Sequence, residues 1–316
     1  MRERTTRREF LERTGCLAAA MAVGTCAGTA KGEVPALPLP RRPLGKTGVE
    51  VSILGLGADG FVTDTTDQDD VERFLNEVLD AGVHYFDTAY VYGKDGQSEK
   101  NLGLVMGGKR RKEAFLATKT GSRTYDGAMK QVTESLRRLR TDYLDLIQMQ
   151  HISRKDDVKA LGRKDGALAA LEKLRDQGVV RFVGLTGHPQ DPQVKQAMAM
   201  YEWDTLMCFV NPAAFSEPAL REQIPLAQKK GMGIIGMKTF GGRPGSLVGN
   251  AAGEADAGSL LRFALSCPIS VAIPGVMSRR QFRENLEVVR NFRPMSDKET
   301  AGITQRIGSG TTPWER

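Results

Sequence analysis

The stretch Asp176–Gly184, which reads DQGVVRFVG, joins the end of a helical pattern to an apolar run through a single glycine. A glycine just past a helix supplies the left-handed residue that ends it, and the apolar run has the length of a buried strand. The same arrangement recurs in DAGVHYFD at Asp80–Asp87 and in KKGMGIIG at Lys229–Gly236. These junctions predict an α/β fold in which helices and strands alternate.

The alternation continues over most of the chain. Apolar runs of strand length occur at Ser52–Gly57, His84–Thr88, Ala114–Lys119, Tyr143–Gln150, Val180–Thr186, Thr205–Val210, Gly233–Met237 and Val271–Pro274. Runs with helical spacing follow them at Asp67–Ala81, Ser98–Met106, Gly127–Arg140, Ala167–Gln177, Pro192–Trp203, Ala219–Lys230, Asp256–Ser266 and Arg279–Phe292. Near-continuous apolar strands are typical of parallel sheets covered on both faces. Eight such units predict a (β/α)8 TIM barrel, preceded by a short hairpin around GKTG.

An open doubly wound sheet is the alternative fold. Such sheets often carry G-x-G-x-x-G after the first strand, and Gly55, Gly57 and Gly60 match that pattern. The segment Phe61–Asp67 separates these glycines from the next long helical pattern, whereas a dinucleotide fingerprint opens directly into a helix. The barrel is therefore the favoured prediction.

Composition sets broad limits on function. The chain has 316 residues, 40% hydrophobic and 26% charged, with a formal net charge of +7. These are ordinary values for a globular protein. Its positive excess is mild and forms no long lysine or arginine run, so no nucleic-acid partner is expected.

The N-terminus has the layout of an export signal. Its basic start leads into a moderately apolar stretch, Cys16–Val23, and then into small residues as far as Ala30. That stretch is too short to span a bilayer, so no membrane span is predicted. The pair Arg7-Arg8 before Glu9 resembles the twin-arginine (Tat) signal. A basic tail on a cytosolic protein is the alternative.

The predicted organisation follows from these features. Residues 1–30 form a Tat signal peptide, 31–40 a linker, 41–296 the barrel and 297–316 a C-terminal tail. The Tat machinery is then a partner and the periplasm the expected location. A lipid anchor on Cys26 is not favoured, because VGTC matches a lipoprotein box poorly. The sequence indicates neither the cleavage site nor the oligomeric state.

The cysteines and histidines show no metal-ligand spacing, so no metal site is predicted. After signal cleavage only Cys208 and Cys267 remain, and both lie in apolar surroundings. We expect buried free thiols, with a disulfide as the alternative in an oxidising compartment.

The carboxyl ends of the strands carry the candidate chemistry. Asp87 ends the second strand, and Tyr92 follows in its loop. Lys119 ends the third strand and His151 the fourth. Barrel enzymes place their functional groups at this face, so the four side chains are expected to be neighbours.

These residue types suit proton transfer. A tyrosine has a pKa near 10, too high for ready exchange near neutrality. A buried lysine beside it should lower that pKa, and an aspartate should keep the lysine charged. A histidine can add a hydrogen bond to a substrate oxygen. The set predicts a general acid or base next to a polarised carbonyl.

Several motifs carry a resemblance to a known family. FDTAYVYG followed by SE, then ATKTG, QMQH, VRFVGLTGH and an IPG before an EN helix, resembles the aldo-keto reductase superfamily over about Arg41–Pro294. The resemblance implies that Tyr92 donates a proton to a carbonyl oxygen, with Lys119, Asp87 and His151 assisting. A nicotinamide cofactor would supply the hydride to a small carbonyl substrate.

The resemblance also implies cofactor contacts, although the cofactor-binding positions match the family less closely than the catalytic ones do. It places these residues around the cofactor: Gly57, Asp87, His188, Met237, Lys238, Gly242, Gly275, Ser278, Gln281 and Asn285. Gly275 and Gln281 stand where the family often has basic residues, and Ser278 with Gln281 equally fits a helix capping box. Arg279 or Arg280 is the remaining candidate for a phosphate contact. NADPH is the expected cofactor because the family commonly uses it, and NADH is the alternative.

Two alternatives to a reductase remain open at this stage. Lys119 could form a Schiff base with a carbonyl, as in aldolases. A barrel that retains cofactor for binding or regulation, with little turnover, is the other.

Overall fold

The computed structural model describes Arg7 and residues 38–153, 155, 158–188, 191–216, 218–242, 247–248 and 255–308. The predicted signal peptide, Arg7 excepted, and most of the predicted linker lie outside these residues. Their assignment stays a prediction.

Ten strands form two sheets in the described residues. They are β1 (Arg41–Pro43), β2 (Glu50–Ser52), β3 (Gly55–Gly57), β4 (Tyr85–Asp87), β5 (Phe115–Thr120), β6 (Leu144–Ile152), β7 (Val180–Gly187), β8 (Thr205–Phe209), β9 (Gly233–Met237) and β10 (Val271–Ile273). The pair β1–β2 is the predicted hairpin, with Arg42 opposite Val51. Ser52 belongs to this hairpin, so the predicted strand Ser52–Gly57 is divided between β2 and β3.

Strands β3 to β10 pair in parallel, each with its neighbour in the chain. The first and last of them meet through a parallel bridge between Leu54 and Ala272, where Ala272 N donates to Ile53 O at 2.9 Å. The predicted TIM barrel is thereby confirmed, and the open-sheet alternative was wrong.

Helices cover the outside of this barrel. They are α1 (Phe61–Asp64), α2 (Gln68–Asp80), α3 (Gln97–Met106), α4 (Tyr125–Leu139), α5 (Val158–Leu161), α6 (Ala167–Asp176), α7 (Gln193–Met200), α8 (Pro218–Lys229), α9 (Ala257–Ser266), α10 (Arg279–Arg290) and α11 (Asp297–Gly308). All eight predicted helices are present. The short helices α1 and α5 and the C-terminal α11 were not predicted. No helix in the described part of the chain has the length and apolar character needed to cross a membrane.

Local signals fix several of these boundaries. The glycines at the three junctions, Gly82, Gly178 and Gly231, have φ of +88°, +71° and +68°, as a left-handed helix end requires. At the start of α10, Ser278 Oγ accepts from Gln281 N at 3.2 Å, and Gln281 Oε1 accepts from Met277 N at 2.7 Å. Ser278 therefore caps the helix as the capping-box interpretation predicted, whereas Gln281 accepts from the residue before the cap instead of from Ser278 N.

The glycines of the first barrel strand are there for packing. A Cβ on Gly55 would lie 3.1 Å from the side chains of Tyr85 and Val271, inside the barrel. One on Gly57 would lie 2.9 Å from Ile273 Cγ2. The interior cluster they approach also contains a stacked pair, Tyr85 and Phe115, with ring centroids 5.2 Å apart. The G-x-G-x-x-G match therefore reflects close packing of strands rather than a dinucleotide turn.

The predicted C-terminal tail begins with an ordered helix. In α11, Ile303 and Ile307 are buried in a cluster with Leu260 and Phe263 of α9. The two predicted thiols, Cys208 and Cys267, are free, as expected. Cys208 is buried and Cys267 partly so, and burial raises the pKa of each to about 12.

Candidate active site

Strands β4, β5 and β6 lie side by side, and they bring three predicted residues into contact. Lys119 Nζ donates to Asp87 Oδ2 in an ion pair, to Thr88 O at 2.8 Å and to the Tyr92 hydroxyl at 3.4 Å. The same ammonium lies 4.9 Å from the centroid of the Tyr92 ring. Asp87 and Lys119 are buried, so this charge pair is shielded from water.

Burial and pairing have opposite effects on the charges of this cluster. Burial lowers the pKa of Lys119, but Asp87 and Tyr92 together raise it above its ordinary value, so the lysine is a cation. Burial raises the pKa of Asp87, with Lys119 and Gln148 opposing the shift. Lysine and aspartate therefore stabilise each other's charged forms.

The pKa of Tyr92 differs from the sequence-based expectation. Burial raises it above 10, and the nearby Lys119 only partly offsets this. The lysine acts in the predicted direction, but desolvation of the phenolate is the larger effect. In the structure Tyr92 is a neutral phenol, which suits a proton donor.

A glutamine on β6 completes the surroundings of Asp87. Gln148 lies opposite Lys119 in the strand register, and its Nε2 donates to Asp87 Oδ1 at 3.2 Å. One carboxylate oxygen thus faces the lysine and the other faces the amide. Gln148 was not predicted, although its place two residues after the interior residue Leu146 points it inward.

Side chains of α3 and α4 fix the position of the loop that carries Tyr92. Arg138 Nη1 donates to Tyr90 O at 3.1 Å and to the buried Glu99 at 3.2 Å, and its guanidinium lies over the Tyr90 ring. Ser98 Oγ donates to Ala58 O at 3.0 Å. The SE pair of the sequence motif therefore supports the loop, which fixes the phenol beside the lysine.

His151 lies near the same mouth but has different partners. Its side chain is 51% exposed and its backbone is left-handed, with φ of +49°. The ring stacks on His188 with centroids 4.3 Å apart, and its Nε2 is 3.7 Å from Asp191 Oδ2. The structure therefore brings His151 to a histidine–aspartate cluster, and no hydrogen bond joins it to Lys119 or Tyr92.

Gln150 faces the interior of the barrel, the direction that the sequence analysis had expected for its neighbour His151. Leu146 and Gln148 face the interior, so the two-residue period of β6 turns Gln150 the same way. A Cβ on Gly121 would lie 4.0 Å from Gln150 Oε1, and that oxygen is buried without a hydrogen-bond partner in the described residues. Counting in twos along the strand was the signal that could have identified it.

A second aromatic and cationic group lies after β7 and β9. His188 packs on Phe209 with centroids 4.5 Å apart, and Lys238 Nζ lies 5.1 Å from the centre of that ring. Burial, with the nearby His151 and Lys238 charges, lowers the pKa of His188 to about 4. Lys238 has φ of +53°, and a Cβ on Gly242 would lie 3.1 Å from its Cδ. Three predicted cofactor residues therefore lie together beside Met237, which ends β9.

Buried polar atoms without partners mark where a bound group would fit. Asn285 Nδ2 on α10 and Thr239 Oγ1 after β9 are buried and have no hydrogen-bond partner in the described residues. Gly275, which follows β10, has open space where a Cβ would point. A polar ligand along the ends of β9 and β10 would satisfy both atoms, so this region fits a nicotinamide dinucleotide. Thr239 was not predicted.

The two candidate phosphate-binding arginines differ in their contacts. Arg279 is engaged with α2, where it donates to Asp70 Oδ1 at 2.7 Å and to Glu77 Oε2 at 3.1 Å. Arg280 is 83% exposed and lies 3.7 Å from Glu284. Gln281 and Ser278 serve the helix cap, so Arg280 is the better placed of these residues for a phosphate.

Comparisons with known proteins agree with this geometry. Residues 53–260 match the model of the Aldo/keto reductase family. The chain is 31% identical to the L-galactose dehydrogenase of Arabidopsis thaliana over 211 residues, or 61% of this chain and 63% of the plant enzyme.

Solved structures give the same fold. An aldo-keto reductase from Bacillus halodurans in its holo form superposes with a TM-score of 0.71 at 24% identity, covering 88% of this chain and 99% of its own. An aldo-keto reductase from Klebsiella pneumoniae in complex with NADPH gives a TM-score of 0.70 at 20% identity, covering 84% and 95%.

Proposed function

The chain belongs to the aldo/keto reductase family of NAD(P)H-dependent oxidoreductases, and we propose that Tyr92 is its general acid and base in hydride exchange between a nicotinamide and a carbonyl or alcohol. One observation carries the proposal. The Lys119 ammonium contacts both the Asp87 carboxylate and, at 3.4 Å, the Tyr92 hydroxyl.

Each residue of this trio has a defined task in the reducing direction. Tyr92 holds its proton at rest and gives it to the carbonyl oxygen as charge develops there. Lys119 stabilises the phenolate that is left behind, and Asp87 keeps the lysine ionised. When bound, a reduced nicotinamide supplies the hydride. The chain itself supplies the proton, the electrostatic stabilisation and the orientation.

A second donor to the carbonyl oxygen comes from β6. The sequence assigned this task to His151, whose ring packs against His188 at the rim. Gln150 has an amide on the interior face, one step nearer the mouth than Gln148. We therefore assign the second hydrogen bond to the Gln150 amide, a neutral donor.

The cofactor contacts follow from the unpartnered atoms. Asn285 and Thr239 would hold polar groups of the dinucleotide, and the open space at Gly275 admits its backbone. Arg280 would contact the 2′-phosphate of NADP, since Arg279 is engaged with α2. This favours NADP over NAD.

Two observations weigh against the Schiff-base alternative. Lys119 is 3% exposed, and its pKa is raised by its partners. Imine formation needs an accessible, neutral amine. Borohydride in the presence of a carbonyl substrate should leave Lys119 unmodified.

Similarity to a sugar dehydrogenase guides the choice of substrate. L-galactose dehydrogenase is 31% identical over the matched region. The first substrates to test are therefore aldoses, followed by simple aldehydes and ketones. The test is nicotinamide absorbance at 340 nm with both cofactors, with Tyr92→Phe as control. Cofactor binding without turnover on any substrate would instead support a retained-cofactor binding barrel.

Export by the Tat pathway belongs to the same proposal. Its support is the Arg7-Arg8 pair before an apolar stretch. The Tat route carries folded proteins, so the enzyme would leave the cytoplasm with cofactor loaded. Replacing both arginines by lysine should move the enzyme from the periplasmic to the cytoplasmic fraction. Periplasmic protein that is folded yet free of cofactor would contradict the loading step.

A further inference from the structure

Two histidines and one aspartate meet at the carboxyl ends of β6 and β7. His151, His188 and Asp191 each place a potential metal-binding atom within 4.8 Å of the other two. His188 and Asp191 are three positions apart, but His151 precedes His188 by 37, so the three residues do not form one motif in the sequence. None of the three is needed as the proton donor of the proposed reaction.

We propose that these three side chains form a binding site for a divalent ion of the zinc class. Two imidazole nitrogens and one carboxylate oxygen are a ligand set that Zn²⁺ prefers, and three protein ligands leave a fourth position open. Tetrahedral ligands with bonds of about 2.0–2.1 Å lie about 3.3 Å apart. The ligands must therefore close by up to about 1.5 Å, which the half-exposed His151 ring permits by side-chain rotation.

The backbone holds the three ligands in place without the ion. Asp191 N donates to His188 O at 3.2 Å, so a backbone hydrogen bond holds these two residues together. His151 N donates to Thr186 Oγ1 at 2.7 Å, which ties the end of β6 to β7. The site is thus preorganised by hydrogen bonds that do not use its ligand atoms.

Charge at the site has two contributions. Asp191 is buried, so its carboxylate offers a negative charge that little water screens. A positive charge also lies nearby, since Lys238 Nζ is 5.1 Å from the centroid of the Phe209 ring on which His188 packs. One carboxylate and two neutral imidazoles leave the ion with a net positive charge, so an anionic or water ligand is expected at the open position.

The test measures metal binding by the full-length protein without cofactor or substrate. A Cys16→Ser, Cys26→Ser background removes competing N-terminal thiols. After chelator treatment, Zn²⁺ is titrated by calorimetry, and Co²⁺ is added as a probe of d–d absorption. We expect one ion per chain, with affinity at least about tenfold weaker in His151→Ala, His188→Gln and Asp191→Asn.

His84→Gln is the matched control. His84 lies at the opposite end of β4, where its backbone bonds to Ser52 and Phe115, so zinc affinity should be unchanged. Circular dichroism verifies folding, and the exposed His151→Ala provides the test if the variants at the partly buried His188 and the buried Asp191 misfold. The proposal is overturned if the background protein binds no zinc, or if His151→Ala binds it as tightly. Because binding is measured without turnover, the result is independent of the proposed reaction.

Discussion

Lys119 Nζ lies 3.4 Å from the Tyr92 hydroxyl oxygen and 4.9 Å from the centre of its ring. The ammonium therefore lies beside the phenol while bound to Asp87 on β4. Parallel pairing of β4 with β5 creates this contact, and the Glu99–Arg138 pair maintains the loop.

Tyr92→Phe should remove the proton donor and little else. We expect turnover to fall by about 10²–10⁴-fold, the usual contribution of a general acid. Cofactor binding, followed by nicotinamide fluorescence, should be unchanged. Turnover within threefold of the parent enzyme would show that another residue is the general acid.

Gln150→Ala and His151→Ala separate the two candidates for the second carbonyl contact. Loss of the inward amide should lower turnover about tenfold or more, the equivalent of one hydrogen bond. Loss of the rim imidazole should have the smaller effect. Steady-state kinetics on one substrate decides between them, and the reverse order would restore His151 to the catalytic set.

Asp87→Asn should destabilise the fold as well as the reaction. It leaves Lys119 buried without its charge partner, which costs about 3–5 kcal/mol of unfolding free energy. Urea denaturation measures the loss. Glu222→Gln breaks an exposed pair with Lys195 and should change stability by less than about 1 kcal/mol. Equal losses would show that the Asp87 pair is no stronger than a surface one.

Arg280→Gln tests cofactor choice. If this exposed side chain meets the 2′-phosphate, NADPH binding should weaken about tenfold and NADH binding should not change. Fluorescence titration with both cofactors gives the ratio. Arg279→Gln is the control, since it breaks contacts to Asp70 and Glu77 and should lower stability instead. If Arg280→Gln keeps the parent's preference between NADPH and NADH, Arg280 does not contact the 2′-phosphate.

Acid should loosen the C-terminal helix α11. Bonds from Arg262 and Ser296 lower the pKa of Glu299 to about 2. A carboxyl whose pKa is lowered by folding stabilises the fold at pH values above its pKa in the unfolded chain, which is near 4.5. This stabilisation is lost as the pH falls toward 2. Between pH 5 and 3, the protection factors of the amides of 297–308, corrected for the intrinsic pH dependence of exchange, should fall more in the parent than in Glu299→Gln. Glu287→Gln, which breaks an exposed pair with Arg290, should behave like the parent.

The amino-acid sequence was enough to predict the alternation of the barrel and to group three candidate residues for proton transfer. Both depend on local signals: left-handed glycines at helix ends, apolar strands, and polar residues where those strands stop. Parallel strands bring such ends to one face whatever their exact register. The sequence therefore suffices to group Asp87, Tyr92 and Lys119.

The direction of His151, in contrast, depends on the tertiary structure. A register shift between Met149 and Ile152 and the left-handed backbone of His151 end the simple strand period after Gln150. The balance of burial against a neighbouring charge at Tyr92, and the meeting of His151 with His188 and Asp191, likewise depend on distances through space. Such distances follow from how strands pack and turn, and a one-dimensional pattern does not contain them.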